Sequence, residues 1–255
     1  MAIHLGTSGW SYDHWNGVLY PPGTPAAKRL AAYAAEFATV ELNSSFYRWP
    51  RPEAFTGWHD RLPAGFLLSV KASRWLTHGR RLKDPEAWIE RMVPGLRALG
   101  EHRGALLVQL PAALERDDER LEHFLAALPP DVRVAVEVRH PSWFTPPVYE
   151  LLERRGAALC VVSGAGVPCD PRTTAPFAYV RWHGPDQAPT YAGSYSDAEL
   201  AGWARRLAGW AAAGTDVYAY FNNDIGGHAV HDARRLRRLL ADAGAPVTGG
   251  RAAPP

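Results

Sequence analysis

The sequence predicts an α/β protein built as a single (βα)₈ TIM barrel, and three observations indicate this fold. Short apolar, strand-like runs alternate with helical stretches about eight times along the 255 residues. Polar residues stand at the ends of these runs, where strand stability does not require them. Neither an internal repeat nor a domain linker interrupts the order. Because barrels of this kind carry their chemistry on loops at the carboxyl ends of the strands, the polar strand ends mark the expected site.

The individual elements follow from local sequence signals. Apolar and β-branched runs predict strands at residues 3–8, 39–43, 66–71, 105–110, 133–138, 157–162, 177–182 and 216–221. Capping residues or prolines begin several of the helices between them, as at Thr24-Pro25, Asp84-Pro85, Thr145-Pro146 and the capping box Ser196-Asp197-Ala198-Glu199.

Two segments depart from this pattern. Residues 163–176 are rich in glycine and proline and have no helical periodicity, so we expect the sixth helix to be reduced or missing. Residues 244–255 consist mainly of glycine, alanine and proline, and we predict a disordered tail there. The barrel domain is therefore predicted to cover residues 1–243.

Charge and hydropathy argue against two classes of partner. The formal net charge is +2 and no five like charges are consecutive, so a strong electrostatic attraction to nucleic acid or to a membrane surface is not expected. No apolar run approaches the roughly 18 residues of a membrane span. The first four residues also lack a basic region followed by an apolar one. We therefore expect a cytoplasmic protein without membrane contact, and the sequence leaves its oligomeric state open.

The alternation of side chains along the strands predicts which polar residues meet inside the barrel. In the fifth strand, Val134, Val136 and Val138 form the outer stripe, so Glu137 and Arg139 point inward. The same parity places polar residues of four further strands inside, namely Glu41 and Asn43, Ser69 and Lys71, Gln109, and Arg181 and His183. Charged groups that converge in this way are costly to bury unless they are paired, and they usually mark a site. A purely structural ion pair is the alternative for Glu137 and Arg139.

Four of these residues are candidate catalytic groups: Glu41, Lys71, Glu137 and His183. Two carboxylates can divide acid and base work when their surroundings separate their pKa values, and a histidine can shuttle protons near neutral pH. Lys71 is one of three lysines against 25 arginines, which indicates a role that guanidinium cannot take. Such roles include proton transfer and Schiff-base formation.

A second group of residues is suited to holding a substrate. Arginines offer planar forks for a phosphate or carboxylate, amides bond hydroxyls or base edges, and aromatic rings stack on sugars or nucleobases. The candidate substrate-binding residues are Trp10, Tyr12, Asn43, Tyr47, Gln109, Arg139, Trp143, Arg181, Tyr191, Asn222 and Asn223.

No metal or cofactor motif is present in the sequence. It lacks HxH, HExxH, GxSxG, GxGxxG and P-loop patterns, so we assign no metal ligand and leave the cofactor undefined. A divalent metal in a carboxylate-rich site stays an open alternative, with Glu41, Glu137, His183 and Asp224 as its ligands.

Several motifs resemble the YecE-like family, catalogued as domain of unknown function 72. They are residues 6–12 (GTSGWSY), residues 40–47 (VELNSSFY), Lys71, Thr77-His78, residues 109–111 (QLP), residues 137–143 (EVRHPSW), residues 179–184 (YVRWHG) and residues 221–224 (FNND). The resemblance extends over most of the chain and implies a TIM barrel, but no particular activity. In fold it relates the chain to endonuclease IV-like and xylose isomerase-like enzymes. Many members carry an aspartate just after the sixth strand, where this sequence has Ser163, so a role for that carboxylate is in question here.

Three kinds of function stay open on the sequence. We favour an enzyme acting on a small anionic, hydroxylated ligand such as a sugar phosphate or nucleotide, by hydrolysis, isomerisation or lyase chemistry. Arg139, Arg181 and Lys71 would hold the anion, while Glu41 and Glu137 would move protons. In a variant of this hypothesis, Lys71 acts as a Schiff-base nucleophile. The alternatives are a protein that binds or processes nucleic acid, and a non-catalytic ligand sensor.

Overall fold

The structure is a closed barrel of eight parallel strands, which confirms the predicted fold. It is a computed structural model that describes residues 1–249. The strands follow chain order around the barrel, and the first closes it by pairing with the last. Their bounds are β1 Ile3–Ser8, β2 Thr39–Leu42, β3 Leu67–Lys71, β4 Arg103–Gln109, β5 Val134–Glu137, β6 Ala158–Ser163, β7 Phe177–Trp182 and β8 Asp216–Phe221.

Helices connect successive strands and cover the outside of the barrel. They are α1 Ala26–Glu36, α2 Ser44–Tyr47, α3 Pro52–His59, α4 Glu86–Ala98, α5 Asp118–Ala127, α6 Pro146–Arg154, α7 Asp197–Ala212 and α8 His228–Asp242. One π-helical turn, Trp75–Gly79, follows β3. Within residues 1–249, no helix combines the length and the apolar character that crossing a membrane requires.

The predicted loss of the sixth barrel helix is confirmed. The structure describes all of residues 164–176, between β6 and β7, and shows no helix there. Thr174 fixes this connection, because its hydroxyl donates to the Ala157 carbonyl at 2.7 Å and accepts from the Leu159 amide at 2.8 Å. The Thr174 side chain thus supplies hydrogen bonds to backbone groups at the start of β6 that a helix or strand would otherwise have to supply.

The barrel interior contains small residues that face tyrosines, and the strand parity follows the prediction. Val134 packs in the layer between strands and helices, whereas Ala135 lies inside the barrel with Tyr220. The Tyr220 hydroxyl bonds the hydroxyls of Thr39 and Ser69, each at 2.8 Å. The middle of the barrel is therefore a packed layer with satisfied hydroxyls, and the polar strand ends lie above it.

The first part of the predicted disordered tail, residues 244–249, contacts the start of β1. The Ile3 amide donates to the Pro246 carbonyl, and the Thr248 amide donates to the Ile3 carbonyl, both at 2.9 Å. The Thr248 hydroxyl also bonds His4 Nδ1 at 3.0 Å. These contacts hold residues 244–249 beside the start of β1, where composition alone could not place them. Residues 250–255 of the predicted tail lie outside the described residues.

Candidate active site

A cavity of about 540 Å³ opens at the carboxyl ends of the strands, where this fold places its sites. It is formed by loops that follow β1, β2, β3, β7 and β8, which are distant in sequence. Its lining includes seven residues that the sequence predicts for the site, Trp10, Tyr12, Asn43, Tyr47, Lys71, Tyr191 and Asn222. The remaining predicted residues do not line it, and they divide into a buried charged group and a few packing residues.

Four charged residues, Glu41, Glu137, Arg139 and Arg181, form an ion cluster inside the barrel, in which Arg139 is half-buried and the other three are buried. Arg181 is fully buried and bridges the two carboxylates. Its Nε and Nη2 donate to Glu41 at 3.0 and 2.7 Å, and its Nη1 donates to Glu137 at 2.6 Å. Arg139 Nε donates to Glu137 at 2.8 Å, and Arg139 Nη2 lies equally close without the geometry of a hydrogen bond. Two carboxylates and two guanidinium groups balance in charge, which permits their burial.

The two carboxylates of this cluster are held in the ionised form. Burial alone would raise the pKa of Glu41, but the charge and hydrogen bonds of Arg181 outweigh burial and lower it. The hydroxyls of Ser8 and Tyr179 also donate to Glu41, at 2.5 and 2.7 Å. Burial opposes ionisation of Glu137 as well, yet Arg181 holds the pKa of Glu137 well below its usual range. The geometry thus pairs Glu41 and Glu137 with Arg181 in the ionised form, which argues against the predicted acid–base role, and it leaves Arg181 no free edge for an anion.

His183 belongs to the same buried region and is electrically neutral at physiological pH. Its Nε2 lies 3.5 Å from Glu137 Oε1, and its Nδ1 lies 3.0 Å from the Asn222 amide nitrogen. Burial lowers the pKa of His183 to about 4, although Glu137 partly opposes that shift. A fully buried imidazole with so low a pKa is a poor proton shuttle near pH 7, which argues against the predicted role.

Lys71 ends β3 and differs from the ion cluster because its charge is not compensated. Its side chain is 8% exposed and lines the cavity. The amine lies over the Phe46 ring, with Nζ 4.3 Å from the ring centroid. Among residues 1–249, it takes part in none of the salt bridges, all of which use arginine or histidine as the cation. Burial, followed by the positive charge of Arg181, lowers the pKa of Lys71 to about 7.

A second titratable pair, His14 and Asp224, lines the cavity. The sequence proposes Asp224 only as a ligand of the alternative metal site, and it does not point to His14. His14 Nε2 lies 2.8 Å from Asp224 Oδ2, and the Trp15 indole donates to Asp224 Oδ1 at 2.6 Å. Burial raises the pKa of Asp224 to about 6, against the opposing effects of His14 and Trp15. Asp224 follows β8 next to Asn222 and Asn223, so its strand-end position was a usable signal. His14 lies six residues beyond the end of β1 and gave no such signal.

Aromatic residues form the walls and rim of the cavity. The Tyr12 hydroxyl donates to the Ser8 carbonyl at 2.9 Å, and its ring lies where a side chain at Gly9 would stand. Tyr47 is 70% exposed, and Tyr191 is 36% exposed. Tyr191 has a φ of 72°, which an amino acid with a side chain rarely adopts, and such strain concentrates at functional sites. These rings offer flat apolar faces beside polar groups.

Besides the two arginines of the ion cluster, three predicted substrate-binding residues lie outside the cavity lining, and two of them are packing residues. Trp143 is buried, and its indole donates to the Leu114 carbonyl at 2.7 Å, so it supports the loop after β5. Asn223 is also buried and donates to Gly193 O and to Asp232 Oδ2, which ties the loop after β7 to α8. Gln109 is in register with Glu137, and its side-chain oxygen is buried without a hydrogen-bond partner in residues 1–249.

Two groups of potential metal ligands lie at different places in the structure. The carboxylate-rich site left open by the sequence is not formed, because the Arg181 guanidinium lies between Glu41 and Glu137 where a cation would bind. Within the described chain, one group of three potential ligands has its donor atoms within 4.8 Å of one another, and it consists of His59, Glu101 and His102. His102 directly precedes β4, so this group lies at the amino-terminal face, opposite the cavity.

Comparison with known proteins identifies the family. The family described as "Protein of unknown function DUF72" matches residues 4–255. The chain belongs to the DUF72 family. A DUF72 protein of known structure from Thermotoga maritima is 30% identical, with a TM-score of 0.85 over 94% of this chain and 100% of that one. The DUF72 structure from Enterococcus faecalis, 22% identical with a TM-score of 0.78, shares the fold.

Curated DUF72 relatives agree with the resemblance seen in the sequence motifs. The UPF0759 protein YunF of Bacillus subtilis is 29% identical, covering 93% of this chain and 94% of the relative. The UPF0759 protein YecE of Escherichia coli is 28% identical over 155 residues, which are 60% of this chain and 54% of YecE. The family description assigns no activity, so the function of this DUF72 chain has to be argued from the cavity itself.

Proposed function

We propose that this DUF72 protein is an enzyme that binds a small anionic, hydroxylated compound in the cavity and uses Lys71 as its reactive group. One observation carries the proposal. Lys71 reaches the cavity without a charged partner among the described residues, while the four members of the ion cluster are paired with one another. An unpaired, desolvated amine beside a cavity is costly for stability and suited to proton transfer or nucleophilic attack.

The charge balance supports an anionic ligand. The ion cluster is neutral as a whole, with Glu41 and Glu137 opposing Arg139 and Arg181. A protonated Lys71 therefore adds a positive charge without a salt-bridge partner among residues 1–249, whereas the Asp224 carboxyl on the same lining lies 2.8 Å from His14. A phosphate or carboxylate group bound at Lys71 would balance that charge. The attraction between the two charges is strongest in a site with little water, because the effective dielectric constant is low there.

Hydroxyl recognition is supported by the remaining lining. The amide of Asn43 donates to Ser8 Oγ at 2.6 Å, which fixes its orientation at the cavity edge. Asn222 is oriented in the same way by His183. The side-chain oxygens of both amides make no hydrogen bond within residues 1–249 and can accept from ligand hydroxyls. Tyr47 and Tyr191 add ring faces for a sugar, and 540 Å³ suits a small metabolite.

Nucleic-acid binding receives less support than a small ligand. The arginine-rich turn of α8 is occupied by ion pairs within the chain, since Arg234 bonds Glu36 and Arg235 bonds Asp232. Arg237 also contacts Glu36. Phosphate backbones require basic side chains that are free to replace counterions. This turn is therefore a poor electrostatic surface for a polynucleotide.

A thermal-shift panel tests the proposal. Sugar phosphates, nucleotides and short single-stranded oligonucleotides are each added to the wild-type protein. A ligand at a hundred times its dissociation constant stabilises by about 2.7 kcal/mol, which for a chain of this size is a shift of roughly 5–10 °C. We expect a small phosphorylated compound to give such a shift.

A matched pair of variants locates that binding. Tyr47→Ala removes an exposed ring that lines the cavity, and Trp75→Ala removes a similarly exposed ring that does not. We expect the shift to be lost in the first variant and kept in the second. A shift produced by oligonucleotides alone, or one that both variants retain, would contradict the proposed site.

A further inference from the structure

Lys71 is the one lysine placed inside the barrel of this arginine-rich chain. The other two, Lys28 and Lys83, are exposed on the surface. Lys71 ends β3, and its side chain lies over Phe46 and lines the cavity. A primary amine forms covalent bonds to carbonyl carbons, which a guanidinium in the same place would not do.

The surroundings of Lys71 keep much of the amine in its nucleophilic, unprotonated form. Burial and the neighbouring Arg181 lower the pKa of Lys71 to about 7. About half of the amine is then neutral at pH 7, whereas an ordinary lysine is neutral in fewer than roughly one molecule in a thousand. Both Glu41 and Glu137 are saturated by arginines, so neither carboxylate captures the amine as a permanent ion pair.

We propose that Lys71 condenses with the carbonyl carbon of an open-chain aldose or ketose phosphate and forms a Schiff base as the first covalent step. The inference rests on the proposed function and names its substrate class. The phosphate supplies a negative charge for the Lys71 amine, which has no salt-bridge partner among the described residues. The sugar hydroxyls bond the oriented amides of Asn43 and Asn222. Only the open-chain form of the sugar exposes the carbonyl group that the amine attacks.

The step balances with groups that line the cavity. Lys71 Nζ forms a bond to the carbonyl carbon, and one of its protons moves to the carbonyl oxygen, which gives a neutral carbinolamine. A proton from Asp224 then converts that hydroxyl into a leaving water, while the nitrogen lone pair forms the C=N bond. One water is released, and neither an oxidant nor a reductant is consumed.

Asp224 is suited to this proton transfer. It lines the same cavity as Lys71 and is held by Trp15 and His14. Burial raises the pKa of Asp224 to about 6, so part of the carboxyl carries a proton near neutral pH. After the proton is given up, the carboxylate is next to His14, which can replace it from solvent because the His14 side chain is 44% exposed.

Reductive trapping tests the inference on the wild-type protein. The protein is incubated at pH 7 with each of a set of aldose and ketose phosphates, and sodium borohydride is added to reduce any C=N bond. Intact mass and peptide mapping then locate the adduct among the three lysines. We expect one adduct per chain on Lys71, with at least about a hundredfold more label there than on Lys28 or Lys83.

Two variants serve as controls. Lys71→Arg keeps the positive charge but cannot condense, so the adduct should disappear, whereas Lys83→Arg should keep it. The mapping in the wild-type protein is decisive even if Lys71→Arg folds poorly. Label spread evenly over the lysines, or absent from Lys71, would overturn the Schiff base.

Failure of this step is distinguishable from failure of the proposed function. A sugar phosphate that raises the melting temperature but leaves no adduct would keep the small anionic ligand and overturn the Schiff base. The absence of both a thermal shift and an adduct across the panel would overturn the inference and the proposed function together.

Discussion

Two layers of the barrel mouth each contain acidic and basic residues, and they differ in whether these residues are joined in salt bridges. In the lower layer, Arg181 joins Glu41 and Glu137 with hydrogen bonds of 2.6 to 3.0 Å, and all three are fully buried. In the upper layer, Lys71 and Asp224 face a cavity, and burial moves the pKa of each toward neutrality. A polar residue at a strand end is therefore structural where its partners are complete, and available for chemistry where they are not.

The largest expected effect comes from breaking the lower layer. Arg181→Met leaves two buried carboxylates without their shared cation, and removing one partner of a buried ion pair typically costs about 3–5 kcal/mol. Urea denaturation should show a much lower midpoint, or no folded protein. The control is Arg97→Met at the exposed pair with Asp131, where we expect no measurable change. Similar urea midpoints for the two variants would contradict the claim that the ion pairs of the lower layer stabilise the fold.

The opposite sign is expected in the upper layer. Lys71→Met removes an amine that the fold desolvates, so the variant should be more stable than the wild type by roughly 2–4 kcal/mol at pH 7. The unfolded chain binds more protons than the native state between about pH 7 and pH 10.5. Wild-type stability should therefore rise with pH in that window, and the advantage of the variant should shrink. Lys83→Met, at an exposed position, should show neither effect.

A smaller effect of opposite pH dependence is expected at Asp224. Its pKa is raised from 3.8 to about 6, so the native state holds a proton that the unfolded chain has lost between these values. The contribution of Asp224 is greatest below about pH 4 and falls as pH rises to about 6. Asp224→Asn should therefore gain stability relative to wild type by about 1–2 kcal/mol across this window. Urea titrations of both proteins at pH 4 and pH 6.5 measure this gain. A stability difference that is the same at both pH values would argue against a raised pKa of Asp224.

The smallest effect concerns the support of the cavity wall. Gly9 and Gly17 both have φ near 80°, at 87° and 81°, so alanine is strained at either position. Only at Gly9 would a side chain meet Tyr12, with a Cβ 2.5 Å from the Tyr12 hydroxyl. Gly9→Ala should cost about 1 kcal/mol more than Gly17→Ala, and it alone should weaken ligand binding. Equal costs in thermal denaturation would mean that the Tyr12 contact is not rigid.

The sequence was sufficient for the fold because strand parity and helix starts are local signals. The inward direction of Glu137 and the missing helix between β6 and β7 could both be inferred from spacing and composition. Spacing also brought Glu41, Glu137 and Arg181 to one place. It could not show that Arg181 bridges the other two, because that depends on side-chain distances across the barrel.

The same limit applies to the other predicted site residues. Trp143 and Asn223 follow strand ends, yet their side-chain N–H groups donate to backbone carbonyls or to Asp232, which only the packed loops reveal. His14 was missed because it is not at the end of β1. It contacts Asp224 only because the barrel closes between β1 and β8. A position at a strand end thus predicts that a residue is near the site, whereas the completeness of its contacts decides whether it is reactive.

The most direct test of this account is the pKa of the Lys71 amine in the native protein. Competitive acetylation across pH 5–11, followed by peptide mapping, measures it at a single residue because the chain has only three lysines. The account predicts half-maximal reactivity of Lys71 near pH 7. A midpoint close to that of an ordinary lysine, about 10.4, would show that the amine is compensated and that the upper layer is as fully paired as the lower one.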